Sequence, residues 1–383
     1  MLRRPVHRVL KIAALTSAML IATLFVLSDK AYSGKGIPDK PVQAGDYSVL
    51  APISSGNLTI FPVVARQVHD TGEFLTLDEG VRTGAVVITE TSQVSPLVRR
   101  PTTRPPGNGG EVNRLVLINN SSRPLLLLAG EIVTGGKQDR VIGADRIVPP
   151  KSDPVDLSVF CVEPGRWVER SEKFSSMHGQ MAQPSVRRPA MDSKDQHEVW
   201  ANVGESNRAM AKAAPSASQT VEVTSSYAGV MNDRAVNERI DKVAAPIQAD
   251  YQRLLRQLKD RKATGVVVAI NGRVVWADIF ASPELLEAYW PKLVRSYAAE
   301  AITSSLANFG TSPDRAGDFL AQLSGTREVV ETEPGVYRRS EATGDGYKVF
   351  NIVSLLPKTN FAVHTAKMAD AETVGKVKPM LMK

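Results

Sequence analysis

Short apolar runs separated by Gly, Pro and Asp positions fill the first half of this chain. Leu58–Ala65, Phe74–Leu77, Ala85–Thr89, Leu115–Ile118, Pro124–Ala129, Val141–Val148 and Val155–Val162 all have strand length and strand composition. Such runs predict a β-meander, with Pro149-Pro150 to Pro154 turning between the last two. The period then changes. Within Glu238–Arg261, Ile240, Val243, Ile247, Tyr251, Leu254 and Leu258 recur at helical spacing, one apolar stripe. Pro246 is expected to kink that helix or to mark its true start. Next come two β-branched runs around Asn271-Gly272, the strongest short hairpin signal. Ser282 and Pro283 form an N-cap and first-turn pair for a helix over Glu284–Leu306, where Pro291 is a site for a kink. The pattern returns to strand at Glu328–Glu331, Tyr337–Ser340, Tyr347–Ser354 and Phe361–Thr365.

Strands, then helices around a hairpin, then strands predict an α+β fold. Its core would be an antiparallel β-rich sheet or sandwich with a helix–hairpin–helix section and returning C-terminal strands. The expected division is a signal peptide over 1–33, an irregular lead-in over 34–55, and one composite domain over 56–366 with a tail over 367–383. Within the domain lie a β-rich part (56–170), a long connection (175–220), the helix–hairpin–helix part (236–308) and the final strands (326–366). The connection is assigned because 175–220 is rich in Ser, Ala, Gln, Met and Pro without periodicity.

The N-terminal segment changes the charge argument. Arg3, Arg4, Arg8 and Lys11 precede an uncharged run from Ile12 to Leu27, and Ala31-Tyr32-Ser33 offers small residues for cleavage. The run is shorter than the roughly 20 residues a membrane span needs. Export to an extracytoplasmic space, periplasmic or secreted, is the expectation, with an uncleaved N-terminal anchor as the alternative. After cleavage no stable membrane span is expected. Taking the +4 of residues 1–33 out of the formal +7 leaves +3, which demands no polyanion. Arg99, Arg100 and Arg104 in the Pro/Gly-rich 95–111 loop lack interleaved aromatics, so nucleic acid is not an expected partner.

One cysteine, Cys161, excludes an intrachain disulfide. A nucleophilic thiol needs a base and a lowered pKa; buried structural cysteine is the commoner role. Beyond residue 33 the histidines are His69, His178, His197 and His364. They make no ligand-spaced pair, so neither a metal nor another cofactor is expected. P-loop, Gly-x-Gly-x-x-Gly and Gly-x-Ser-x-Gly signatures are absent.

Polar chemistry gathers instead between Gly130 and Trp167. Gly135-Gly136 can turn with positive φ, which would throw Lys137, Gln138, Asp139 and Arg140 onto one rim. Glu131 closes the strand before it, and Glu163, Arg166 and Trp167 follow Cys161. A fork-like arginine beside a carboxylate and an amide suits a small anionic or sugar-like ligand. The same residues also suit a structural ion-pair network at a hairpin tip. Asp278 shares its strand face with Trp276 and could project an acid.

The segments LAGEIVTGGKQDRVIGADRIVPP, VFCVEPGRW, HEVWANV (197–203) and 264–302 carry a resemblance. In content and order they resemble the domain associated with ADP-ribosylglycohydrolases and rhodanese/phosphatase proteins, over roughly residues 50–365. That resemblance implies no defined reaction; the company its members keep hints at nucleotide or ADP-ribose metabolism. The resulting expectation is an exported ligand-binding or interaction module. The alternative is a hydrolase of a phosphate- or sugar-containing molecule, with Glu131, Asp139 or Glu163 as acid or base. Oligomeric state is not encoded in any pattern here.

Overall fold

Val266 and Val268 face one hydrophobic core while Val267 and Ala269 face another, so the apolar run GVVVAI is buried on both sides of its sheet. The computed structural model describes residues 41–91, 114–166, 168–257, 262–304, 310–323 and 325–370. Residues 1–33, the 95–111 loop and Trp167 lie outside them. The described residues form an α+β fold dominated by antiparallel strands.

The largest sheet has ten strands. Its path runs β1 (Val42–Ala44), β2 (Tyr47–Val49), β4 (Leu58–Ala65), β14 (Gly265–Ile270), β15 (Arg273–Phe280), β19 (Ala362–Ala369), β18 (Tyr347–Ser354), β17 (Tyr337–Gly344) and β16 (Thr326–Glu333), with β3 (Ile53–Ser55) paired to β4. The final strands therefore join the first ones through the 265–280 hairpin. That hairpin turns at Asn271-Gly272, both at positive φ (53° and 74°), as a two-residue loop closing Ile270 onto Arg273 requires.

A six-stranded sheet has the order β13 (Ser175–Met181), β9 (Glu131–Thr134), β10 (Arg140–Ile142), β12 (Val155–Cys161), β7 (Arg114–Asn119) and β6 (Val86–Glu90). A three-stranded sheet joins β11 (Arg146–Val148), β8 (Leu125–Leu127) and β5 (Leu75–Thr76), and β5 with β8 is parallel.

Helices α1 (Leu77–Arg82), α2 (Pro184–Met191), α3 (Gln196–Ala213), α4 (Ser218–Val223), α5 (Tyr227–Met231), α6 (Arg234–Gln257), α7 (Pro283–Thr303) and α8 (Pro313–Ala321) complete the chain order. Ser282 caps α7, its hydroxyl accepting the Leu285 N–H at 3.1 Å. Helix α7 touches β4, β14 and β15 of the large sheet and β13 of the six-stranded one. It is the spine between the two sheets, and Trp290, Tyr289 and Tyr297 on it are fully buried. On the opposite face of the large sheet, α8 lies against β1, β2, β14 and β15.

Several expectations need correction. Residues 42–55 are not irregular: three short strands extend the large sheet there, too short to show a period. Nor is 175–220 a long connection, since it holds β13, α2 and α3. Helix α3 buries Val199, Val203, Ser206, Asn207 and Met210, a helical stripe so diluted by small and polar residues that hydrophobicity alone hides it. Helix α6 starts at Arg234 and runs through Pro246. Asp233 Oδ1 accepts the N–H groups of Ala235 (2.8 Å) and Val236 (3.3 Å) and fixes that start. Val141–Val148 is two strands in different sheets, divided at Gly143–Asp145, where the Phe160 ring leaves no room for a side chain on Gly143.

Candidate functional site

The rim is built by a hairpin tip and a strand end. β10 pairs with β9 on one side and β12 on the other, so Arg140 lies opposite both Val133 and Cys161. The turn between β9 and β10 uses Gly135 and Gly136 at φ 134° and 47°. Any side chain on Gly136 would strike the Phe174 ring. The turn delivers Asp139, whose Oδ1 accepts the Gly135 N–H (3.1 Å) and whose Oδ2 accepts the Ser226 hydroxyl (3.0 Å).

Glu163 arrives from the end of β12. Its Oε2 accepts the Asp139 N–H (3.2 Å) and meets Arg166 Nη2 at 2.6 Å, while Oε1 meets Arg170 at 3.3 Å. The same Arg166 nitrogen reaches Asp139 Oδ1 at 3.5 Å. Gln138 donates its amide to the Glu163 carbonyl (3.1 Å), and the Lys137 N–H donates to Glu90 Oε1 (3.1 Å). Arg140 is fully buried. Gln138, Asp139, Arg140, Glu163 and Arg166 thus come together, with Lys137 tied to them through Glu90.

Burial, then the neighbouring Glu163 charge, pushes the Asp139 carboxyl up. Burial would also raise Glu163, but Arg166 overrides it and holds Glu163 below the usual range. One guanidinium thus sets two carboxylates apart. Cys161 is buried, and burial pushes its thiol up; Gln196 clamps its backbone N–H and carbonyl at 2.8 and 2.9 Å. That is a packed thiol, not an activated one.

Glu131 is elsewhere. It sits at the far end of β9 from the turn, where Oε1 meets Lys292 of α7 at 2.7 Å and Oε2 accepts the Leu128 N–H at 2.8 Å. Lys292 also meets Asp78 at 2.6 Å. Glu131 does not join the rim that the sequence pattern predicts, because it lies at the open end of the β9–β10 hairpin and the rim at its turn.

Beside Glu131 lies a second polar centre, only one member of which the sequence suggested. Asp278 on β15 receives both terminal nitrogens of Arg187 at 3.3 Å, the Tyr297 hydroxyl, and His364 Nε2 at 3.2 Å. His364 Nδ1 meets Asp145 Oδ2 at 2.6 Å, and Asp145 Oδ1 accepts the Ala129 N–H at 2.8 Å. Arg187 stacks over Trp276 at 4.6 Å. Burial alone would raise Asp278, but Arg187, His364 and Tyr297 hold it far below the carboxylate range. Burial disfavours a charged His364, yet Asp145 and Asp278 raise it to about 9. The centre ties β15 and β19 to α2, α7 and the β10–β11 turn.

Gly130 shows how tightly it is packed. At φ +95° its added Cβ would come within 2.5 Å of Arg187 Cγ and 2.7 Å of Nε. Gly130→Ala is therefore expected to cost at least roughly 2 kcal/mol from backbone strain and overpacking. Urea unfolding measures it; an unchanged midpoint would mean that both the backbone at Gly130 and the Arg187 side chain can relax.

Among the described residues no cluster of His, Cys, Asp and Glu could hold a metal ion, and no helix is long and apolar enough to cross a membrane. No curated protein and no solved structure matches the chain. One family model does, that of the ARG and Rhodanese-Phosphatase-superfamily-associated Protein domain, over residues 46–366. The match takes in the residues that build the rim and the buried centre, His364 included, and the chain belongs to this family.

Proposed function

We propose that the chain is an exported ligand-binding module whose site is the rim formed by residues 135–140, 163–166 and 168–170, taking a small anionic or sugar-like ligand. The observation that carries this reading is the graded exposure of its cations. Arg140 is sealed, Arg166 is 14% exposed and Arg170 is 58% exposed, all gathered around carboxylates that are almost wholly buried. Arg170 keeps more than half of its side chain in water while it pairs with Glu163 at 3.3 Å, so its guanidinium is open to a ligand. Arg140 and the buried carboxylates hold the shape of the rim, and Arg166 and Arg170 meet the ligand.

The hydrolase alternative draws less support. Glycoside hydrolysis uses two carboxyls facing each other across the scissile bond. Asp139 and Glu163 instead share one guanidinium nitrogen, and Glu131 points into another centre.

A thermal-shift screen of the purified chain against nucleotides, ADP-ribose, inorganic phosphate and sugars tests the reading. At least one should raise the melting temperature saturably, and Arg170→Ala should weaken that response without lowering the melting temperature of the free protein. Ligand shifts that survive Arg170→Ala and Arg166→Ala alike would move the site elsewhere. Export is tested by N-terminal sequencing of the secreted fraction, where cleavage near Ser33 is expected; an intact Met1 in the membrane fraction would overturn it.

A further inference from the structure

Gln138 and Arg166 each carry a buried polar atom at the rim without a hydrogen-bond partner, and the two atoms are of opposite kinds. Gln138 Oε1 is an acceptor without a donor; Arg166 Nε is a donor without an acceptor. The orientation of the Gln138 amide is fixed, because its other end must donate to the Glu163 carbonyl. Both residues are anchored on Glu163, one by its carbonyl and one by its carboxylate. Buried polar groups are rarely left unpaired, and each exception calls for a reason.

The charges around them are balanced. Glu90, Asp139, Glu163 and Glu169 stand against Lys137, Arg140, Arg166 and Arg170. A phosphate or carboxylate could accept from Arg166 Nε. It would also bring lone pairs and a negative charge against Gln138 Oε1, Asp139 and Glu163. Hydroxyl groups meet both demands, since each can donate to Gln138 Oε1 or accept from Arg166 Nε. We propose that the rim selects an uncharged polyhydroxyl ligand, the edge of a sugar, with Gln138 as the acceptor and Arg166 Nε as the donor for its hydroxyl groups. This rests on the rim being the binding site and names the class of molecule that it takes.

Calorimetric titration of the purified full chain decides it, with D-ribose, D-glucose and N-acetyl-D-glucosamine set against inorganic phosphate and pyrophosphate, at low and high salt. A sugar should bind with an affinity that salt barely changes, since no net charge is neutralised. Gln138→Met keeps the length of the side chain and removes the acceptor together with the donor to the Glu163 carbonyl; Arg166→Lys keeps the charge and removes Nε. Each should weaken sugar binding about tenfold, the size of one lost hydrogen bond. Circular dichroism reports whether each variant folds, and Arg166→Lys, at the more exposed position, decides if Gln138→Met does not fold. Salt-sensitive phosphate binding that ignores Gln138→Met overturns the inference and leaves the rim as an anion site. Sugar binding indifferent to both variants overturns it by placing the sugar elsewhere. If none of the probes binds, the rim reading falls and the inference with it.

Discussion

Asp278→Ala is expected to cost about 3–5 kcal/mol of folding stability, the usual effect of removing one partner from a buried ion pair. Asp278 is completely buried, and so are the cations it neutralises, Arg187 and His364. Without it Arg187 keeps its stacking over Trp276 but loses two hydrogen bonds, and the Tyr297 hydroxyl loses its acceptor. None of these groups can turn to water, because α2, β15, β19 and α7 enclose them. Asp278→Asn keeps an acceptor while removing the charge, so it should lose less. Urea unfolding with an unchanged m-value separates a true stability loss from a change in the unfolded state. A loss below about 1 kcal/mol would mean that Asp145 can serve both cations by itself.

Much of the sheet framework was legible in the chain. The Asn271-Gly272 hairpin, the Ser282 cap and the strands at Leu58–Ala65 and Tyr347–Ser354 rest on local chemistry: a positive-φ turn, a hydroxyl at a helix start, and runs rich in β-branched and aromatic residues. What stayed hidden had a diluted or very short signal, as in β1–β3, β13 and α3. The rim was legible for a similar reason, since its residues come from two neighbouring chain segments joined through adjacent strands.

The buried centre was not legible. Asp278 could be seen to share a face with Trp276, but its partners Arg187 and His364 stand 91 and 86 positions away. Neither carries a local mark. Arg187 sits in a short Pro-containing helix, and His364 looks like any histidine in a strand. Pairing at that separation is set by sheet order, in which β15 lies beside β19, and no hydrophobic period records sheet order. The same limit misplaced Glu131, whose partner Lys292 lies 161 positions on.

His364 should make the fold weaker as pH rises from about 6.5 to about 9. The unfolded imidazole titrates near 6.5 and the folded one near 9, because Asp145 and Asp278 flank it and outweigh the cost of burial. A group whose folded pKa is raised stabilises the fold fully below the unfolded value, and that contribution is lost as pH climbs through the folded value. At about 1.4 kcal/mol per pKa unit, the loss is on the order of 3 kcal/mol. Lys367 works against it: burial lowers its amine to about 7, so its effect has the opposite sign over much of the same range. The useful measurement is therefore a difference, stability against pH for the wild type minus that for His364→Phe, in which Lys367 and the tyrosines cancel. The difference should favour the wild type near neutrality and shrink steadily toward pH 9 and above. A flat difference would mean that His364 is neutral in the folded protein, held between Asp145 and a protonated Asp278. Arg187 speaks against that outcome, since a neutral Asp278 would leave its guanidinium buried without a counter-charge.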